Sequence, residues 1–401
     1  MTRLEDPVGP RWGFGLYVHW PYCARICPYC DFNVYAAKDR DPAPLADALI
    51  ADLKVHAATM PDHGPLETIY FGGGTPSLLP PDRMAALVAA ADAAFGVAPG
   101  AEITLEANPN DVLRSRLEDW QAAGINRLSV GVQSLRDTAL RFLGRDHDAA
   151  AAVEAARRAV AAFPNTSIDL IYARPGQSAA EWEEELAEAL ALGAPHLSLY
   201  ELTIEARTAF ARAVARGAWT PADEDAQADL YDVTQRVAEA HGLPAYEVSN
   251  HARRPETRSR HNQIYWNSGD WIGLGPGAHG RLTRDGARRA SEAPSRPEAY
   301  IDAVAAGETG WNGALPLTPA DVAAELLAMG LRTAEGVALS RLGALTGALP
   351  ARPTRQALVD TGLLLEADGW IRLTASGRLF ADRISGDLHA AMSPEAAART
   401  P

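Results

Sequence analysis

Three cysteines near the amino terminus are the residues whose spacing most clearly indicates chemistry. The chain has 401 residues and only three cysteines, Cys23, Cys27 and Cys30, spaced C-x-x-x-C-x-x-C. Three thiolates on one short loop can each bind one iron of a [4Fe-4S] cube, which leaves the fourth iron without a protein ligand. His19 could instead complete a Cys3His zinc site, but the position of the loop directly after a predicted strand favours the cluster. We therefore expect a [4Fe-4S] cluster on these cysteines.

Further polar residues and glycines lie at or just after the ends of later predicted strands. The carboxyl ends of parallel strands meet at one edge or one barrel mouth, which is where such folds place their chemistry. Glycines at 72–74 let the backbone approach a ligand and could offer it N–H groups. Taken singly, each residue could equally serve packing or lie in solvent. The candidates at this mouth are Gly73, Gly74, Thr75, Glu106, Gln133, Arg145 and Asp169.

Strands and helices must position these residues, and both can be predicted from the sequence. Short β-branched or aromatic runs alternate with longer Ala- and Leu-rich helical patterns. This order predicts an α/β fold of βα units with right-handed crossovers, and therefore a parallel sheet that curls into a full or partial barrel. The predicted strands span residues 15–19, 68–71, 102–106, 127–132, 167–171 and 196–202. The predicted helices span residues 44–59, 81–94, 111–123, 148–162, 179–191 and 222–241.

The remaining chain predicts a second, smaller domain. Residues 1–205 form the predicted barrel domain, and residues 206–316 extend it through an aromatic-rich segment without clear periodicity (246–280) and a Pro/Gly/Ala-rich connection with one helix at 297–306. Residues 317–390 predict a winged-helix-like α+β domain, and residues 391–401 a frayed tail. The small domain should contain helices at 318–330, 338–346, 353–361 and 375–385, and strands at 363–366 and 370–373.

Charge and hydropathy exclude several classes of function. Asp and Glu total 51 against 37 Lys and Arg, a net charge of -14, which disfavours nucleic acid as a partner. The small domain has no basic cluster beyond Arg352 and Arg355, so a structural or protein-contact role is favoured over a DNA-binding redox sensor. No apolar run is long enough for a transmembrane segment, and residues 1–12 lack the apolar core of a secretory signal. We expect a cytoplasmic protein, with peripheral contact at the inner face of a membrane left open.

The cysteine motif, with Tyr29 directly before its last cysteine, resembles that of the radical S-adenosylmethionine (SAM) superfamily. The resemblance implies a partial (β/α)6 TIM-like barrel. It also implies that the free iron binds the amino and carboxylate groups of SAM, which an electron from the cluster can cleave to a 5′-deoxyadenosyl radical. By matching positions it implies a cofactor-binding role for Tyr17 and for the seven candidates at the mouth.

Nearly the whole chain resembles the oxygen-independent coproporphyrinogen oxidase-like branch, through residues 17–21, 247–250, 273–280 and 373–378. True dehydrogenases of that branch carry a further cysteine two residues after the third, and an amino-terminal extension. This chain has Phe32 at that position, and its first predicted strand starts near residue 15. That difference favours the HemW-type group, regarded as haem chaperones that deliver haem to recipient haem proteins, including membrane respiratory enzymes. The alternative is a radical SAM enzyme acting on a tetrapyrrole; a homodimer is left open.

A second motif is similar to the H-N-x-x-Y-W signature associated with haem binding in the HemW-type group. It consists of His261, Asn262, Tyr265 and Trp266. The resemblance implies that His261 is an axial ligand of haem iron and that the aromatic rings flank the porphyrin. The alternative is that these residues only pack a loop. The chain departs from the family's pattern at Ala206, Arg207, Ala209 and Asp146, which affects the expected loop after the sixth strand and not the cluster.

Overall fold

The computed structural model describes residues 13–37, 40–60, 63–284, 286–308 and 313–394. The amino-terminal residues 1–12 and residues 395–401 of the expected tail lie outside these ranges. The strands are β1 Phe14–Trp20, β2 Tyr22–Cys23, β3 Tyr35–Ala36, β4 Leu66–Gly73, β5 Val97–Ala107, β6 Arg127–Gln133, β7 Asn165–Tyr172, β8 His196–Glu201, β9 Ala245–Glu247, β10 Asn250–Ala252, β11 Asp270–Leu274, β12 His279–Arg284, β13 Ala287–Glu292, β14 Leu315–Pro316, β15 Val337–Ala338, β16 Leu349–Pro350, β17 Leu364–Ala367, β18 Trp370–Leu373 and β19 Met392–Ser393.

Helices alternate with these strands through most of the chain. They are α1 Ala43–Thr59, α2 Pro81–Phe95, α3 Pro109–Arg114, α4 Leu117–Ala122, α5 Asp137–Phe142, α6 Ala149–Ala162, α7 Ala179–Ala191, α8 Ala209–Ala215, α9 Glu224–Ala240, α10 Arg260–Trp266, α11 Pro297–Ala305, α12 Pro319–Gly330, α13 Leu339–Thr346, α14 Arg352–Asp360, α15 Ala375–Arg378 and α16 Ala381–Ala390. Several start at side-chain caps, which satisfy free N–H groups of the first turn: Asp148 caps α6, and Ser178 and Thr318 form capping boxes on α7 and α12.

The α/β fold class predicted from the sequence is confirmed. Strands β1, β4, β5, β6, β7 and β8 pair in parallel in that order, and their inner faces belong to one large apolar core with the helices. Such near-continuous burial is typical of parallel strands that are covered on both faces. Because these strands run the same way, the cysteines after β1 and the polar residues that end the later strands meet at one mouth.

The segment from 246 to 280 is more regular than expected. It contains α10 and β11, and β11 pairs in parallel with the free side of β1, so that Leu16 is opposite both Ile69 and Ile272. Strands β12, β13 and β14 then extend the sheet in antiparallel fashion through the region expected to be a connection. The single helix expected at 111–123 is also wrong, because Ser115 and Arg116 are extended and separate α3 from α4.

The carboxy-terminal domain has its own apolar core, formed mainly by α12, α13, α16 and the sheet β15-β18-β17. The two predicted strands are present, whereas the helix expected at 375–385 is divided into α15 and α16. Met392–Ser393, in the expected tail, pair with β16. The domain contacts the end of the main sheet, where the Arg332 Nε donates to Glu247 Oε1 at 2.7 Å and Ala334 N donates to Tyr246 O. One wall of the barrel mouth is therefore formed by this domain.

Candidate cofactor site

The cysteine loop is held in place on both sides of its thiols. Tyr22–Cys23 pair with Tyr35–Ala36 where the loop leaves and returns, and Cys30 N donates to Cys27 O in a tight turn. Phe210 N donates to Pro28 O, which fixes the middle of the loop to the start of α8. Cys23 is buried, and Cys27 and Cys30 are partly buried. Burial raises the pKa of Cys30 to about 11, so a nearby positive charge would be needed to stabilise its thiolate at neutral pH.

The glycine segment after β4 lies against the same loop. A side chain at Gly74 would start 3.0 Å from Cys23 Sγ and 2.8 Å from Pro21 backbone atoms, so only glycine allows this approach. The expected offer of N–H groups to a ligand is wrong for this conformation. The N–H groups of Gly73, Gly74 and Thr75 donate to Glu106 Oε2, Trp20 O and Tyr22 O respectively. The segment contributes space beside the thiols and not free donors.

Two carboxylates lie on the inner wall of the barrel. Glu106 accepts hydrogen bonds from Tyr70 OH at 2.8 Å and from Gly73 N at 3.1 Å. Burial raises the pKa of Glu106 to about 7, with a contribution from the charge of Asp169. Burial also raises the pKa of Asp169, although hydrogen bonds from serines, including Ser129 and Ser167, oppose the shift. The pair can therefore receive a cationic or hydrogen-bond-donating ligand.

Gln133 and Arg145 each present an unsatisfied polar atom at this mouth. Gln133 ends β6 with φ of 66°, and its buried Oε1 has no hydrogen-bond partner. Arg145 donates through Nη1 to Cys27 Sγ at 3.3 Å and through Nη2 to Gly131 O at 3.0 Å, whereas its buried Nε has no partner. Buried polar atoms without partners are uncommon and costly, so a polar ligand that contacts Gln133 Oε1 and Arg145 Nε would satisfy both.

One cavity of about 860 Å³ brings most of the expected cofactor residues together. This volume lies within the usual range of small-molecule sites. The expected residues that line it are Cys23, Cys27, Cys30, Gly73, Gly74, Thr75, Glu106, Gln133, Arg145, Asp169 and Asn262. Tyr17, His261, Tyr265 and Trp266 do not line it.

Tyr17 lies behind the glycine segment and orients His19. His19 Nε2 donates to Asn33 O at 2.9 Å, because a carbonyl can only accept, and this leaves Nδ1 to accept from Tyr17 OH. Burial lowers the pKa of His19, which is consistent with a neutral ring. Since both nitrogens are used, His19 is not available as the fourth ligand of a zinc site in this conformation.

His261 lies in a buried polar cluster beneath the cavity. Its Nδ1 is 2.7 Å from Thr68 Oγ1 and its Nε2 is 2.6 Å from Tyr265 OH, while its ring stacks on Tyr70 with 4.9 Å between centroids. The side chain is 1% exposed, and burial lowers its pKa to about 3. Trp266 packs against Tyr246 instead. In this conformation neither nitrogen of His261 is open to a metal.

Comparison with known proteins identifies the family. The family model of the Radical SAM superfamily matches residues 17–189, and that of the HemN C-terminal domain matches residues 317–380. The protein named heme chaperone HemW of Mycobacterium tuberculosis is 36% identical over 384 residues, which cover 94% of each chain. The chain is a HemW-type radical SAM protein.

Two further relatives of this HemW-type protein extend the comparison. Radical S-adenosyl methionine domain-containing protein 1, mitochondrial, of Bos taurus is 38% identical over 338 residues, 83% of this chain and 76% of the relative. The structure of coproporphyrinogen III oxidase (HemN) from Escherichia coli, a radical SAM enzyme, matches with a TM-score of 0.76 at 21% identity, over 96% of this chain and 91% of that one. This structural likeness supports the fold alone.

Membership of the radical SAM family implies a [4Fe-4S] cluster and SAM as cofactors of the HemW-type protein. The donor set fits a cluster better than a single ion. No three His, Cys, Asp or Glu side chains in the described ranges are arranged to hold one metal ion, and a cube needs no such convergence because each thiolate binds its own iron. The unpartnered Gln133 Oε1 and Arg145 Nε beside the thiols fit a polar ligand such as SAM.

Sequence reasoning missed the wall that the carboxy-terminal domain contributes. Arg332, Arg378, Leu379 and Phe380 line the cavity from that side. Residues 373–378 carry part of the family resemblance, which is the signal that could have drawn attention to Arg378. Among the described residues, no helix has the length and apolar character needed to cross a bilayer.

Proposed function

We propose that this protein is a haem chaperone that binds haem at the mouth of its cavity and passes it to recipient haem proteins. The observation that carries the proposal is the chemistry of the rim. Exposed apolar side chains occur on both sides of the opening, Ile26 and Phe32 on the cysteine loop and Leu379 and Phe380 on the carboxy-terminal domain, at 40–62% exposure. Large exposed apolar groups at a cavity mouth are typical of a binding site.

The same rim offers cations for the two carboxylates of haem. Arg332 donates through Nε to Glu247, which is 1% exposed and also accepts from Asn250 Nδ2 and Ser249 N. This fixed carboxylate holds the Arg332 guanidinium through its Nε, and Arg332 lines the cavity. Arg378 lines the cavity on the same wall. A flat apolar ring with carboxylates on one edge matches a wall of this kind.

The resemblance assigns haem contacts to His261, Asn262, Tyr265 and Trp266, and this assignment stays a prediction. Only Asn262 lines the cavity in the described conformation. Ligation by His261 would require its ring to leave its site and to break the hydrogen bonds to Thr68 and Tyr265. Binding of haem at the proposed rim site would not need that movement.

Anaerobic haem titration tests the proposal directly. Protein with and without reconstituted cluster is titrated with haem, and the change in haem absorption gives the dissociation constant. We expect Arg332→Gln with Arg378→Gln, and separately Phe380→Ala, to weaken haem binding about tenfold, equivalent to about 1.4 kcal/mol. Arg352→Gln, on the exposed surface of α14, is the control for loss of a positive charge away from the cavity. Haem binding that is unchanged in the rim variants would exclude this site, and no haem binding by the wild type would exclude the function.

A second candidate is a radical SAM enzyme that acts on a tetrapyrrole. It is favoured by the convergence of the three thiols, Glu106 and Asp169 in one cavity, because these are the groups needed to hold a cluster and SAM for cleavage. Incubation with reductant and coproporphyrinogen III, followed by measurement of protoporphyrinogen IX and 5′-deoxyadenosine, separates the two functions. Product formation would support the enzyme, and haem transfer without product would support the chaperone.

The remaining expectations are part of the same proposal. Recipient haem proteins, including respiratory enzymes of a membrane, would receive haem from a cytoplasmic protein that contacts the membrane only at its surface. Transfer of haem from the loaded protein to an apo-cytochrome, in solution and in vesicles, tests the recipient. Sedimentation with and without haem tests a homodimer.

A further inference from the structure

The H-N-x-x-Y-W helix lies at the end of the barrel opposite the cysteines. His261 N donates to Glu102 Oε1 and its ring reaches Thr68, which pairs both with Glu102 and with Gly15 near the start of β1, whereas the thiols follow the end of β1. Gly15 makes room for the ring, since a side chain there would start 3.3 Å from His261 Cε1 and 2.8 Å from Thr68 Oγ1. The helix therefore closes the amino-terminal end of the barrel.

Tyr70 connects this end to the cofactor cavity. Its ring stacks on the His261 ring with an angle of 25° between the planes, and its hydroxyl donates to Glu106 Oε1 at 2.8 Å. Glu106 in turn accepts from Gly73 N in the glycine segment beside Cys23. A continuous set of contacts thus runs from His261 through Tyr70 and Glu106 to the cysteine loop.

The His261 ring is fixed at every polar atom. Thr68 and Tyr265 form hydrogen bonds with the two ring nitrogens of His261, and Glu102 accepts a hydrogen bond from its backbone N–H. The ring therefore cannot rotate without breaking a buried hydrogen bond. Its face is the surface against which the Tyr70 ring rests. Loss of the ring would leave a cavity beside Tyr70 and allow its hydroxyl to move away from Glu106.

We propose that His261 is a positioning residue of the SAM site, which holds Tyr70 against Glu106, and not a ligand of haem iron. The proposal rests on membership of the radical SAM family and is independent of haem delivery. It predicts that the aromatic face of residue 261 matters, and that its ability to ligate a metal does not.

Two binding measurements on each variant test this role. SAM affinity is measured from the change that SAM causes in the electron paramagnetic resonance spectrum of the reduced cluster, and haem affinity by titration of the cluster-free protein. The variants are His261→Ala, which removes the ring, and His261→Phe with Tyr265→Phe, which keeps a ring but no metal-ligating nitrogen. His56→Ala is the matched control, because His56 is equally buried on α1.

We expect His261→Ala to weaken SAM binding about tenfold. The double variant His261→Phe with Tyr265→Phe should regain SAM affinity to within about threefold of the wild type. Haem affinity should change less than twofold in both variants. Combined with Tyr70→Phe, His261→Ala should add less than its separate effect, because both act through one hydroxyl. The proposal is overturned if haem affinity falls tenfold in both His261 variants while SAM affinity is unchanged. It is also overturned if His56→Ala weakens SAM binding equally, or if the effects of Tyr70→Phe and His261→Ala add.

Discussion

The ionisation of Glu106 should make SAM binding depend on pH near neutrality. Burial, together with the charge of Asp169, raises the pKa of Glu106 to about 7, so this carboxyl gains a proton as the pH falls through 7. Only the ionised carboxylate accepts hydrogen bonds at both oxygens and attracts the cationic sulfonium ligand. We therefore expect SAM to bind more weakly at pH 6 than at pH 8.

The size of the effect follows from the pKa. An acid with a pKa of about 7 is ionised to roughly 9% at pH 6 and roughly 91% at pH 8. If SAM binds only the ionised form, its affinity should fall about tenfold between pH 8 and pH 6, or about 1.4 kcal/mol. The assay is SAM titration of the reduced cluster at each pH, with cluster absorption recorded to show that the cluster stays intact.

Two variants determine whether Glu106 is responsible. Glu106→Gln cannot ionise, so its affinity should be lower at pH 8 and nearly independent of pH. Asp169→Asn removes a negative charge that contributes to the raised pKa, so the ratio of affinities at pH 8 and pH 6 should become smaller. A tenfold ratio that persists in Glu106→Gln would refute the assignment, because another group would then carry the titration.

Three further perturbations address the cluster, the glycine segment and the domain contact. Cys27→Ser should prevent reconstitution of a full cluster, seen as lost iron and sulfide, while the far-ultraviolet circular dichroism stays unchanged; retention of the full cluster would contradict its role as a ligand. Gly73→Ala should destabilise the protein by about 1–3 kcal/mol and lower its melting temperature, because Gly73 has φ of 110° and a side chain there would start 2.6 Å from the His19 ring. Gly64→Ala, with open space around it, should be nearly neutral. Glu247→Gln removes the charge that pairs with Arg332 and should make the carboxy-terminal domain easier to release by limited proteolysis; unchanged proteolysis would contradict a role in docking.

Sequence patterns predicted the parallel strands because their signal is local. Strands such as β1, which is buried at every position but Tyr17, read as short β-branched and aromatic runs between helical segments. Strand β11 was missed because its five residues include Gly273 and its pairing with β1 joins positions more than 250 residues apart. No local sequence pattern predicts a contact between positions so far apart. The break between α3 and α4 could not be predicted either, because Ser115 and Arg116 are compatible with a helix.

Most residues of the site could be predicted from the sequence, but their hydrogen-bond partners could not. Residues that end strands were expected to converge, and Glu106, Gln133 and Asp169 line one cavity. The sequence could not indicate that the N–H groups of Gly73, Gly74 and Thr75 are used internally, since their acceptors are a glutamate of another strand and the backbone carbonyls of Trp20 and Tyr22, just before the cysteine loop. The rim on the carboxy-terminal domain was missed because only tertiary docking brings residues near 380 to the barrel mouth.

The double pairing of β1 has a consequence for synthesis of the chain. During translation β1 can pair with β4 after about 70 residues have emerged, but its other edge stays open until β11, at 270–274, has left the ribosome. A half-paired strand exposes unsatisfied backbone groups and an apolar face, which favours wrong association. The cysteine loop is attached to that strand. The barrel that surrounds the cysteine loop is therefore complete only after β11 has been synthesised.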